Sequence, residues 1–112
     1  MVDRLLWSGE GRQAEFEKLF EPTGFWQVLL GRSKGYLKTE IRCESQTRRR
    51  YRVFDYWDSH FDFEDFRRMH AADIEQFGQW VRAEGLVEKE LLLGSFYEER
   101  PGADDGDDLV PA

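Results

Sequence analysis

Two side chains in this sequence have the chemistry and the setting to move protons, His70 and Asp55. His70 is the sole polar member of the series Phe63, Phe66, His70, Ile74, Phe77 and Val81, whose steps of three or four residues follow one helical face. An imidazole titrates near neutrality, which suits general acid or base work. The same position also suits a buried neutral histidine bonded to a sheet, and a polar group in a core needs a partner under either account. Asp55 lies inside the β-branched and aromatic run Tyr51–Trp57, on the same strand face as Trp57. An isolated carboxylate there is costly, so it needs a substrate hydroxyl, Arg4, Arg52 or a backbone amide beside it.

Other chemistries fit the residues less well. Two histidines and one cysteine without close ligand spacing give no zinc pattern. His60 stands at a helix start, where exposure is expected, and Cys43 reads as a small buried hydrophobe with no base spaced to activate it. Gly9 and Gly11 lack the third glycine of a phosphate loop. The formal charge of −7 is uneven, with an excess of +6 over Arg32–Arg52 and −13 elsewhere, which disfavours nucleic-acid binding. Arg48, Arg49 and Arg50 read as a solvated hairpin loop, or as a contact for an anionic partner or another subunit's acidic tail. A chain of 112 residues with no apolar run near 18 predicts one domain and no membrane span. A lone cysteine and no signal segment point to the cytoplasm.

The elements that must position these groups follow from periodicity. Val2–Trp7 suits a first strand, and Gln13–Phe20 a helix with Ala14, Phe16, Leu19 and Phe20 on one face. Trp26, Leu29 and Leu30 mark a short second helix ending near Gly31. From Gly35 the period becomes two, with Leu37, Thr39, Ile41 and Cys43 facing inward, and Glu44–Arg50 joins this strand to Tyr51–Trp57 as a hairpin. Ser59 offers an N-cap with Asp62 three residues on, opening one long helix that ends at Gly85. Glu88–Tyr97 is a last strand whose Leu91, Leu92 and Leu93 point to both faces. Pro101–Ala112, with four aspartates and no aromatic, reads as a flexible acidic tail on a domain covering residues 1–100.

The order βαββαβ predicts an α+β, ferredoxin-like domain, a four-stranded antiparallel sheet with helices on one side. The other side would carry outward leucines of the last strand and aromatics of the third, an apolar patch that a second copy of the chain would cover. Dimerisation into an α/β barrel is therefore expected.

The segments G-R-Q-A-E-F-E at 11–17, P-T-G-F-W at 22–26, G-Y-L-K-T-E at 35–40, Y-R-V-F-D-Y-W-D-S at 51–59 and L-G-S-F at 93–96 resemble antibiotic-biosynthesis-monooxygenase-like domains. The resemblance spans roughly Val2 to Glu98, and W-x-S at 57–59 is its most specific element. It implies a homodimer with a cavity between helices and sheet, where a phenol, quinol or polyketide-like compound meets oxygen without metal or flavin. On that expectation Trp26, Tyr36, Trp57, Phe66 and Trp80 line the cavity, His70 and Asp55 handle protons, and Arg52 stabilises charge. The haem-degrading branch of this superfamily has a first-strand asparagine and a tryptophan and histidine on the long helix. Here the first strand has no asparagine, and Phe66 and Glu75 stand at the other two positions, so no cofactor is expected. A fold hosts many activities, and two other readings stay open: a non-catalytic dimeric module binding a small hydrophobic metabolite, and an isomerase or decarboxylase working by acid–base chemistry.

Overall fold

A computed structural model describes residues 1–96. The order is β1 (Val2–Ser8), α1 (Gln13–Leu19), α2 (Phe25–Leu30), β2 (Tyr36–Ser45), β3 (Arg50–Trp57), α3 (His60–Met69), α4 (Ala71–Ala83) and β4 (Val87–Ser95). The strands form one antiparallel sheet in the order β2-β3-β1-β4, the ferredoxin-like arrangement. The predicted acidic tail lies outside the described residues. No helix among the described residues is long and apolar enough to cross a membrane.

Strand parity divides the sheet into two unlike faces. Val2 pairs with Asp55, Arg4 with Val53 and Leu6 with Tyr51, and on the other side of β3 Thr39 pairs with Asp55 and Ile41 with Val53. These residues face the helices. Phe16 packs its ring 4.5 Å from Tyr51 and 5.1 Å from Phe20, and Trp26 lies 5.0 Å from Phe77. Each such ring contact adds about 0.5–1.5 kcal/mol beyond the apolar area it buries.

The opposite face carries Asp3, Arg52, Phe54 and Tyr56, and it is not the bare apolar surface the sequence suggests. Phe54 is only 8% exposed although no helix covers it. The guanidinium groups of Arg42 and Arg52 each lie 5.2 Å from its ring centre. Arg52 bonds the buried Asp3 carboxylate and also Glu44, while Lys38 pairs with Glu40 at 3.0 Å. Exposed apolar side chains gather instead toward the β4 end, at Leu91, Leu93 and Phe96.

Three local expectations are corrected. The helix predicted as continuous from Ser59 breaks at His70, whose φ of −117° and ψ of 27° end α3 and begin α4. Phe66, Phe77 and Val81 nevertheless stay buried, so the apolar stripe survives the bend. On β2 a register shift between Tyr36 and Lys38 leaves Leu37 61% exposed, and Cys43 is exposed as well. Finally, the arginine loop is not merely solvated. Arg49 donates through Nε to the Ser8 carbonyl at 2.9 Å and pairs with Glu88 at 3.0 Å, tying the β2–β3 turn to β1 and β4.

Candidate active site

The pairings of β1, β2 and β3 bring Arg4, Thr39 and Asp55 together on the helix side, and α2 delivers Trp26 to the same point. Asp55, 3% exposed, accepts from Arg4 Nη2 at 2.9 Å, from Trp26 Nε1 at 2.9 Å and from the Thr39 hydroxyl at 2.7 Å. Arg4 also donates to Glu90 at 3.2 Å, and its guanidinium stacks 4.8 Å from the centre of the Trp26 ring. A buried ion pair holds when further hydrogen bonds satisfy its remaining atoms. Trp26 and Thr39 supply two of these.

Two neighbouring side chains hold this centre in place. The Tyr36 hydroxyl lies 2.7 Å from Thr39 Oγ1 and 3.1 Å from Gln27 Oε1. Tyr36 donates to Gln27 Oε1, while in its contact with Thr39 either hydroxyl can be the donor. Gln27 is fixed in turn, donating to the carbonyls of Phe20 at 2.8 Å and Thr39 at 3.1 Å. Burial pushes the Tyr36 phenol up to about 12; the Thr39 bond opposes that rise and the Asp55 charge adds to it. Tyr36 is thus a protonated donor at neutral pH.

Beside Asp55 opens a cavity of about 270 Å³, bordered by Arg4, Asp55, Trp26, Trp57, Phe66 and Leu92 among others. Its aromatic side is rigidly built: the Trp57 ring lies 5.2 Å from Phe66, 5.9 Å from Phe63 and 5.4 Å from Tyr36 in an edge contact. Of the residues singled out from sequence, Asp55, Trp26, Trp57 and Phe66 border this space, and Tyr36 supports it from behind.

The other three lie elsewhere. The His70 ring packs 5.2 Å from Phe66, and its Nδ1 is 3.4 Å from the Asp73 carboxylate. Trp80 is 44% exposed and shares a separate hollow with Phe25, Phe77 and Arg32. Arg52 occupies the far sheet face with Asp3 and Glu44. An odd separation of three along a strand puts Arg52 and Asp55 on opposite faces, a signal that was in the sequence. From sequence, Arg4 stands only as one possible partner of Asp55, and Thr39 has no role in the site. Their inward parity with Val2 and Ile41 was the available clue.

No protein-family model and no curated protein sequence matches the chain. Among solved structures, the chain is similar to SnoaB, a cofactor-independent oxygenase from Streptomyces nogalater. A point mutant of SnoaB superposes with a TM-score of 0.58 at 18% identity, over 87% of this chain and 93% of that one. A second SnoaB structure gives 0.56 at 20% identity, over 87% and 91%. The chain shares its four-stranded α+β fold with this oxygenase. At this level of identity the likeness speaks for the fold, and the site rests on its own geometry.

Proposed function

We propose that the protein is a cofactor-independent monooxygenase acting on a small aromatic compound of phenol, quinol or polyketide-like type, working as a cytoplasmic homodimer. The observation that carries this reading is the cavity between helices and sheet, with aromatic walls and the Arg4–Asp55 pair at its border. At about 270 Å³ it falls just below the roughly 300–1,000 Å³ of drug-sized pockets, a fit for a small planar molecule. The likeness to SnoaB adds support for oxygenase chemistry.

In such a reaction the phenol loses its hydroxyl proton to solvent, and the resulting electron-rich phenolate passes an electron to O₂. The two radicals join at carbon, the peroxide takes up a proton, and loss of water leaves a carbonyl. One oxygen atom enters the product, the other leaves as water, and the substrate supplies the electrons. The protein contributes an apolar, shaped enclosure and fixed donors for the charge that develops on substrate oxygen. Asp55 already accepts three hydrogen bonds, so it serves as the anchor that orients Arg4 and Trp26. His70, packed on Phe66 outside the cavity border, has no direct part in this scheme.

Oxygen uptake with polycyclic phenols and quinols tests the proposal, with one new carbonyl formed per O₂ consumed as the expected result. Product without oxygen uptake would mean acid–base isomerisation or decarboxylation. Binding without any product would favour a non-catalytic module, a reading supported by the saturation of Asp55 from within its own chain.

A further inference from the structure

A second hollow, of about 340 Å³, lies between α2 and α4 and shares no bordering residue with the cavity beside Asp55. Phe25, at the start of α2, stacks 5.3 Å from Phe77 and lies 6.0 Å from Trp80, both in the second half of α4. Leu29, one turn further along α2, and Phe77 are buried and form its floor. Arg32, just past the end of α2, and Asp73, in the first turn of α4, border the same hollow, which only an antiparallel course of the two helices allows. Phe25 to Arg32, and Trp80 back to Asp73, are each seven residues, two helical turns or about 10 Å. That register collects aromatic rings at one end and one charge of each sign at the other, where Gln76 adds an amide.

Phe25 and Trp80 stay 55% and 44% exposed despite their contacts with Phe77. Single exposed apolar side chains are ordinary, whereas rings gathered around a hollow mark a binding surface. The volume falls within the roughly 300–1,000 Å³ of small-molecule pockets. Among the described residues Arg32 makes no ion pair, and the Asp73 carboxylate has His70 Nδ1 beside it at 3.4 Å rather than Arg32. Two opposite charges that border one hollow without neutralising each other complement a small molecule carrying both signs close together. We propose that this hollow binds a free amino acid with an aromatic side chain, its ring against Phe25 and Trp80, its carboxylate on Arg32 and its ammonium on Asp73. A ligand with a single charge leaves one of the two side chains unanswered, and a ligand without a ring leaves the aromatic end in water.

The indole N–H resonances of ¹⁵N-labelled protein test this, since the chain has four tryptophans and Trp80→Phe identifies the signal of Trp80 by its loss. Unlabelled L-tryptophan should move that signal saturably while those of Trp7 and Trp57 hold still. Tryptamine lacks the carboxylate and indole-3-propionate lacks the ammonium; each should bind about 2- to 5-fold more weakly, the scale of an exposed ion pair. L-alanine, with both charges and no ring, should leave the Trp80 signal in place. Arg32→Gln should weaken L-tryptophan and indole-3-propionate by the same factor and leave tryptamine unchanged, and Asp73→Asn should weaken L-tryptophan and tryptamine alone. Neither side chain is buried, so both variants keep the fold, and unmoved Trp7 and Trp57 signals check it. No saturable movement of the Trp80 signal, movement of Trp57 in its place, either one-charge analogue binding as tightly as L-tryptophan, or equal losses for all three indoles in a variant would overturn the assignment.

Discussion

At the scale of single residues, Asp55 gathers three hydrogen bonds on one buried carboxylate. Asp55→Asn keeps the shape but leaves the Arg4 guanidinium opposed by Glu90 alone. Breaking a buried pair costs roughly 3–5 kcal/mol, and with Glu90 still present we expect about 3 kcal/mol, read from urea unfolding. Tyr36 gives a second expectation. Its folded value of about 12 lies above the ordinary 10, so the folded state holds the proton longer than the unfolded chain. Its contribution to stability is then complete below pH 10 and is lost as pH rises toward 12. Tyr51, also pushed up to about 12 by burial with Glu17 beside it, contributes in the same window. Tyr36→Phe should flatten part of the alkaline loss of stability and remove one late-ionising phenol from the ultraviolet titration. An unchanged alkaline profile would contradict the burial argument.

At the scale of elements, period and capping made most of the chain legible. Ser59 accepts from the Asp62 backbone N–H at 3.2 Å as the N-cap of α3. Ser59→Ala should cost about 1 kcal/mol in thermal or urea unfolding, and a loss under a few tenths would mean that α3 is held by packing alone. The break at His70 was not legible, because neither proline nor glycine marks residues 67–73 and the apolar steps of three and four run straight through it. Strict alternation likewise predicted an inward Leu37 and a buried Cys43. Alternation shows which side a residue takes only while the register is regular, and it says nothing about whether a helix covers that stretch of an edge strand. The site was legible to the same degree. Asp55 and Trp57 share one strand and one parity, whereas Thr39 joins them through the register of the β2–β3 hairpin and Arg4 through the pairing of β3 with the distant β1.

At the scale of the whole molecule, the two open edges of the sheet are treated differently. β2 presents Lys38, Glu40, Arg42 and Glu44, the kind of charged edge that discourages pairing with another chain. β4 presents Leu91, Leu92 and Leu93, at 49%, 61% and 39% exposure, with Phe96 just beyond. The proposed dimer should therefore form through the β4 end of the sheet. Sedimentation equilibrium at micromolar concentration should return twice the chain mass, and Leu91→Arg should return it to one. A wild-type monomer would remove the barrel from the account while leaving the cavity, which lies within one chain, intact. The exposed thiol on β2 offers an independent view of that assembly. Cys43 is the chain's only cysteine, so one maleimide nitroxide attaches per molecule without mutagenesis, away from the residues bordering the cavity. Two copies then carry a matched pair of spins, and the distance between them measures how the two sheets are arranged.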